Sequence, residues 1–293
     1  MKLGVSVSPR EIGSDPVSVR DFVQAVEGAG FDHVLTGEHV LGVHPDRHRP
    51  PETLHSYDTP WFEPFVFFAF VAACTTRLEL VSSVLVLPLR QTAVVAKQAA
   101  MLDALSNGRL RLGVGVGRNS VEFEALDSNY KNRGRRIEEQ IALLRTLWTQ
   151  ELVTFEGRYH HIDRMAINPL PVQRPIPLWM GTTFSGVVEK ALERVARLAD
   201  GWFPQFPPND ETRAIVERFR QYARDAGRDP NTIGIEAGLR ASAADGPEAW
   251  IKTAQAWKDL GATHLRIGLA GDYASPQSRI DTLSRVREAL KGL

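Results

Sequence analysis

The chain has 293 residues, and 35 Lys+Arg balance 35 Asp+Glu to a formal net charge of zero. That length carries one large α/β domain or two smaller ones, while neutrality argues against a nucleic-acid or anionic-membrane partner. A single cysteine, Cys74, excludes internal disulfides and cysteine-based metal clusters.

In chain order, apolar runs of β type alternate with helix-period segments. The predicted strands are Leu3–Val7, His33–Thr36, Leu78–Val84, Leu110–Val116, Leu178–Gly181, Gly201–Phe203, Gly234–Leu239 and His264–Ile267. Between them lie predicted helices at Val17–Ala29, Glu63–Cys74, Thr92–Leu105, Arg133–Trp148, Gly186–Leu198, Asp210–Ala226, Pro247–Leu260 and Gln277–Leu290. Strands alternating with helices imply parallel pairing, because each helix returns the chain to the same end of the sheet. Eight such units predict a (β/α)8 TIM barrel, one domain over residues 1–293. An open dinucleotide-binding sheet is disfavoured, since the first strand runs into Ser6-Val7-Ser8-Pro9 without a glycine fingerprint. The start MKLGVSVSP has no signal-peptide pattern, and the apolar run Phe65 to Cys74 is too short for a bilayer. A cytoplasmic protein without membrane attachment is expected. Two connections are long: Val40–Pro64 after the second strand, and Glu151–Pro177 before the fifth, which is expected to run along the outside.

Barrel sites lie at the C-terminal ends of the strands. There Glu38-His39 offers a carboxylate beside an imidazole, a pair that exchanges protons near neutral pH or simply sits solvated on a loop. Gly181-Thr182-Thr183 leads from a strand toward a helix, as a phosphate cradle or an ordinary cap. Gly113, Gly115 and Gly117 share one face of the fourth strand, making room either for a flat ring or for close packing. Of the eight histidines, His39, His44, His48 and His55 cluster in one segment, but a proline-rich loop fixes ligand geometry poorly and no metal is expected.

Several strings together resemble the bacterial luciferase-like superfamily: Gly37-Glu38-His39, the run Ser82 to Arg90, Ala96-Lys97-Gln98, the run Leu102 to Leu110, and Gly113 to Gly117. Phe155-Glu156-Gly157-Arg158-Tyr159 and Ala199-Asp200-Gly201-Trp202 fit the same pattern. The overall wording is closer to the branch that uses the deazaflavin coenzyme F420 than to the FMN monooxygenases, the alternative. The resemblance implies hydride transfer at C5 of the ring, to or from a small organic molecule. A non-catalytic cofactor carrier is the further alternative. By the same resemblance His39, with Glu38, is the proton donor or acceptor. Ser83-Val84 is implied to be a non-proline cis peptide behind the ring, and Gly115, Gly117, Arg118 and Asn119 to border the cofactor. Gly181, Thr182 and Thr183 would hold its phosphate. Glu38 departs from the Asp of many relatives, and Thr182 from their second glycine. Tyr57, Trp61 and Phe203 are candidate substrate contacts, and Arg118, Arg133 and Arg240 are candidates for a basic rim facing an anionic cofactor tail. A homodimer through the apolar Pro64–Cys74 helix is expected, as is a flavin or F420 reductase that supplies reduced cofactor.

Overall fold

A computed structural model describes residues 1–44, 46, 56–182 and 188–293. Eight parallel strands close on one another. They are β1 (Lys2–Ser6), β2 (His33–Thr36), β3 (Glu79–Ser82), β5 (Leu110–Gly115), β8 (Leu178–Gly181), β9 (Gly201–Phe203), β10 (Gly234–Ser242) and β11 (His264–Ala270). Closure comes from β11 beside β1, with Leu3 opposite Leu265 and Val5 opposite Ile267, and from β3 beside β5. This is the predicted TIM barrel. A two-residue strand β4 (Leu85–Val86) extends the wall by pairing with Val114 and Gly115.

The outer layer is α2 (Pro16–Gly28), α3 (Pro64–Cys74), α4 (Thr92–Leu105), α6 (Arg133–Thr149), α7 (Glu189–Leu198), α8 (Asp210–Asp225), α9 (Pro247–Asp259) and α10 (Pro276–Ala289). Local chemistry sets their starts. Asp15 accepts from Ser18 N to cap α2, and Ser275 and Ser278 form a reciprocal capping box at α10. The main core lies between strands and helices, with Trp148, Trp202, Phe68 and Phe219 fully buried there.

Three differences from the sequence expectation bear on function. The predicted third strand, Leu78–Val84, is split, because the chain turns through a cis Ser83–Val84 peptide before resuming as β4. Residues 151–177 hold an antiparallel hairpin, β6 (Val153–Glu156) and β7 (His161–Met165), pinned to α6 by Glu139, which accepts from Arg158 N and Tyr159 N, both at 2.8 Å. Two short helices, α1 (Pro9–Ile12) and α5 (Ser120–Ala125), escape a periodicity reading because each is under two turns long. The second of them carries a site residue.

Along each strand alternate residues face the barrel interior. At the N-terminal end that interior is ionic. His33 Nε2 lies 2.7 Å from Glu236 Oε1, and Arg111 Nη1 donates to Glu236 Oε2 at 2.6 Å. Arg111 also faces Glu79 at 3.3 Å and stacks on Trp179, 4.4 Å from the ring centroid. The next layer is apolar, formed by Leu35, Val81, Trp179 and Phe203. Above it the barrel opens.

Candidate active site

A cavity of about 390 Å³ occupies the C-terminal mouth of the barrel. One wall is built from β3, β4, β5 and β8: Ser83, Val84, Val86, Gly115, Gly117 and Gly181. The glycine stripe of β5 has a definite use. A Cβ at Gly113 would overlap the Ser82 carbonyl oxygen; at Gly115 it would lie 2.7 Å from Val84 Cγ2, and at Gly117 2.5 Å from Val86 Cγ1. Residues 82, 84 and 86 therefore nest against 113, 115 and 117, and the Val84 side chain is seated in the wall by both Gly115 and Gly181. The space freed by the glycines is filled by the chain itself, which decides for close packing, here against a neighbouring strand. The packing leaves an apolar Val84 surface facing the cavity, suited to a flat ring.

His39, just beyond β2, lines the same cavity. Its Nδ1 is 2.9 Å from Glu122 Oε2, and its ring meets Trp61 edge-on with centroids 4.8 Å apart. An ionised carboxylate only accepts, so Nδ1 carries the proton. Glu122 is brought there by α5. Asn119 caps that helix by accepting from Val121 N at 3.2 Å and donates from Nδ2 to Glu122 Oε2 at 3.0 Å. The second Glu122 oxygen accepts from Val40 N at 2.9 Å. Burial pushes the Glu122 carboxyl up, but the His39 contact and the backbone amides outweigh it and hold it below the usual range.

This corrects the expected Glu38–His39 pair. Glu38 lies on the cavity wall, but both its oxygens are spent elsewhere: Oε2 accepts from Val86 N at 2.7 Å, and Oε1 from Arg90 Nε at 2.8 Å and from Arg90 Nη2. These contacts, and not the sequence neighbour His39, fix the Glu38 carboxylate. Burial dominates over Arg90 and raises the Glu38 carboxyl above its ordinary value. Glu38 thus braces β4, and the carboxylate beside His39 comes from 83 residues away.

Of the other expected site residues, Ser83, Val84, Gly115, Gly117, Arg118, Asn119, Gly181, Thr182 and Trp61 line the cavity. Thr183 lies outside the described residues, as do His48 and His55. Thr182 Oγ1 accepts from Trp202 Nε1 at 3.1 Å, so part of its capacity serves the barrel. Two substrate candidates are corrected. Tyr57 is 60% exposed and packs on His44, with centroids 4.6 Å apart, away from the cavity lining. Phe203 is fully buried beside Trp179 in the apolar layer below, because its inward-facing register falls one layer too deep. Of the rim arginines, Arg118 lines the cavity. Arg133 instead holds the Gly117 loop, donating to Gly117 O at 3.1 Å and stacking on Tyr130 at 3.7 Å, and Arg240 is exposed outside the lining.

Ser6, Thr36, Gln205 and Arg266 complete the mouth on the β1, β2, β9 and β11 side. Glu122 and Arg266 were not singled out from sequence. An acid at the third position of a capped helix start, Asn119-Ser120-Val121-Glu122, was the available signal for the first. For Arg266, a charge at an inward position of a predicted strand was the signal. Among the described residues there is no group of three or more His, Cys, Asp or Glu that could hold a metal, and no helix long and apolar enough to cross a membrane.

The family described as luciferase-like monooxygenase matches residues 1–290. Among similar sequences, an uncharacterized protein of Mycobacterium tuberculosis is 38% identical over 58% of this chain and 57% of its own length. An F420-dependent glucose-6-phosphate dehydrogenase of Nakamurella multipartita is 30% identical over 78% of this chain and 63% of its own. An FMNH2-dependent dimethylsulfone monooxygenase of Pseudomonas fluorescens is 29% identical over 74% and 56%. The chain thus spans less than two thirds of the length of these relatives. In fold, an F420-dependent secondary alcohol dehydrogenase solved with an F420-acetone adduct superposes with a TM-score of 0.79, covering 99% of both chains at 18% identity. With a closed parallel barrel, a cavity at its C-terminal mouth and a match running from residue 1 to residue 290, the chain belongs to the luciferase-like monooxygenase family.

Proposed function

We propose that the protein is an F420-dependent oxidoreductase that moves a hydride between the deazaflavin and a small organic molecule, with His39 moving the accompanying proton. The observation that carries this reading is that the His39–Glu122 pair and the apolar Val84 wall line one cavity. Val84, Gly115 and Gly181 would back the ring, and Gly117, Arg118 and Thr182 would border its side chain, with Thr183 proposed at the phosphate. When bound, F420 supplies a two-electron hydride acceptor or donor at C5 of its ring.

The chain's own groups do the rest. Glu122 holds the imidazole through Nδ1, so His39 exchanges its proton at Nε2. In the oxidising direction Nε2 takes the hydroxyl proton as the neighbouring C–H bond is lost as hydride, leaving a carbonyl. In the reducing direction the same nitrogen returns that proton to the oxygen. The ionised Glu122 stabilises the imidazolium formed in between, while the proton transfer by His39 is of the kind that contributes about 10²–10⁴-fold to such reactions. Trp61, edge-on to His39, excludes water from that face. Glu38 acts through Arg90 and the Val86 amide, keeping β4 and so Val84 in place.

Titration of purified protein with F420, followed by its fluorescence, tests the reading. Micromolar binding is expected, and His39→Ala should keep that affinity and lose turnover. Absence of binding would sink the proposal, and unchanged turnover in His39→Ala would favour the non-catalytic carrier. The FMN monooxygenase reading draws on the dimethylsulfone monooxygenase relative; tighter FMNH2 binding with oxygen appearing in the product would select it. The proposal includes one domain over residues 1–293, a cytoplasmic location and a separate flavin or F420 reductase as source of reduced cofactor. It also includes a homodimer through α3, whose Val66 is 72% exposed and whose Phe70 shares an apolar hollow with Val19 and Phe62. Sedimentation of the purified chain tests that assembly.

A further inference from the structure

At the mouth, Arg266 has no carboxylate within ion-pair distance among the described residues. Leu265 and Ile267 of β11 are fully buried in the outer core, so His264 and Arg266 between and beside them face the barrel interior. Arg266 stands opposite Gly4 on β1 and Gly238 on β10. The guanidinium lies over Gly238, where a Cβ would stand 3.4 Å from Arg266 Nη2, in van der Waals contact. Neither flanking position supplies a carboxylate. Nη2 donates to Gln205 Oε1 at 2.8 Å, and Nη1 is buried with no partner among the described residues. No acid lies within ion-pair distance among those residues; Glu236, one layer below, is committed to His33 and Arg111. Burial lowers the Arg266 pKa below its ordinary value, outweighing the opposite pull of Glu236. Both Arg266 and Gln205 line the same cavity as His39 and Val84.

Arg266 is half-buried, and a guanidinium whose one side-chain partner among the described residues is a neutral amide, with Nη1 buried and unpaired, is an unfavourable arrangement that an anion would complete. Its planar fork matches the paired oxygens of carboxylate or phosphate. It also lies three strands round the barrel from β3, on the side away from the Val84 wall. We propose that Arg266, assisted by Gln205, is the subsite for a negatively charged oxygen group on the substrate, so that the molecule exchanging hydride beside His39 is a small carboxylate or phosphate ester. Calling the ligand a substrate rests on the proposed function above; the anion site itself does not.

The test uses the full chain, with propionate, methyl phosphate and the neutral propionamide as probes, read by calorimetry and by the thermal unfolding midpoint. Saturable binding of propionate or methyl phosphate is expected, with no response to propionamide; the tighter of the two anions identifies the group. Arg266→Met should weaken that anion at least about tenfold, as expected for loss of a charge-assisted pair, while the midpoint without anion stays equal or rises. Arg266→Lys, which keeps the charge and loses the fork, should fall between the two and serves if the Met variant does not fold. Equal binding of propionamide, no anion binding, or anion binding unchanged in both variants would overturn the proposal. Titration with F420 separates the two readings. If wild type binds the anion but not F420, the anion site stands and the proposed function fails. If Arg266→Met loses F420 affinity as much as anion affinity, the guanidinium serves the cofactor and the substrate subsite is refuted.

Discussion

The two ends of the barrel interior treat buried charge in opposite ways. At the N-terminal end, Arg111 is met by Glu236 at 2.6 Å, by Glu79 at 3.3 Å and by the Trp179 face, and Glu236 is shared with His33. At the mouth, the side-chain partner of Arg266 among the described residues is the neutral amide of Gln205. Burial and the Arg111 charge push the nearby His264 down to about 3, so it stays neutral and adds no second cation to the lower cluster. A charge closed off by its own chain holds strands in register. A charge left open at a cavity is available to a ligand.

The largest effect is expected where the closed cluster is broken. Glu236→Gln leaves Arg111 buried beside a neutral amide and should cost about 3–5 kcal/mol in urea unfolding. Burial alone would raise the Glu236 carboxyl, yet His33 and Arg111 outweigh it and hold it far below the ordinary range. A depressed carboxyl contributes stability above its unfolded pKa and loses it as pH falls. Wild-type stability should therefore drop on acidification below about pH 4, and the variant's acid limb should be flatter. Should Glu236→Gln be neutral, the contrast between the two ends collapses.

Glu122→Gln sharpens the comparison at the mouth. It keeps an acceptor for the Val40 amide but removes the charge facing His39, so turnover should fall by about 100-fold with little change in KM. The double variant with His39→Ala should be no worse than His39→Ala alone, because the two residues act as one unit. Glu122 is also held low in the folded state, so its share of stability disappears as pH falls, and the variant should lack that part of the acid transition. Additive losses in the double variant would break the assignment of Glu122 as the positioning carboxylate.

The smallest effect concerns the apolar wall. Gly115→Ala drives a methyl toward Val84 Cγ2 and should cost about 1–3 kcal/mol by overpacking. Displacement of Val84 into the cavity should weaken F420 binding as well, read by fluorescence titration. Full affinity with lowered stability would show that the glycine stripe serves packing alone.

Strand spacing made the architecture legible, because the alternation of β-type and helical segments leaves few closed parallel arrangements. Gly201–Phe203 and Leu178–Gly181 have the predicted bounds. The mouth was legible as a set of strand ends, and His39, Ser83, Val84 and Gly115 all reach it. Partnerships were not. Glu38 is next to His39 in sequence yet braces Arg90, and the long side chain of Phe203 falls one layer below the cavity.

Local pattern by itself determined where the eight barrel strands and eight outer helices fall, since periodicity and caps act over a few residues; β4, the β6–β7 hairpin, α1 and α5 were too short to register. Only the closed barrel decided which carboxylate meets His39, that Val84 fills the glycine groove of β5, and that Arg266 lines the cavity with no acid within ion-pair distance among the described residues. Those facts depend on register between strands far apart in the chain, and a shift of one residue would turn every side chain concerned to the opposite face.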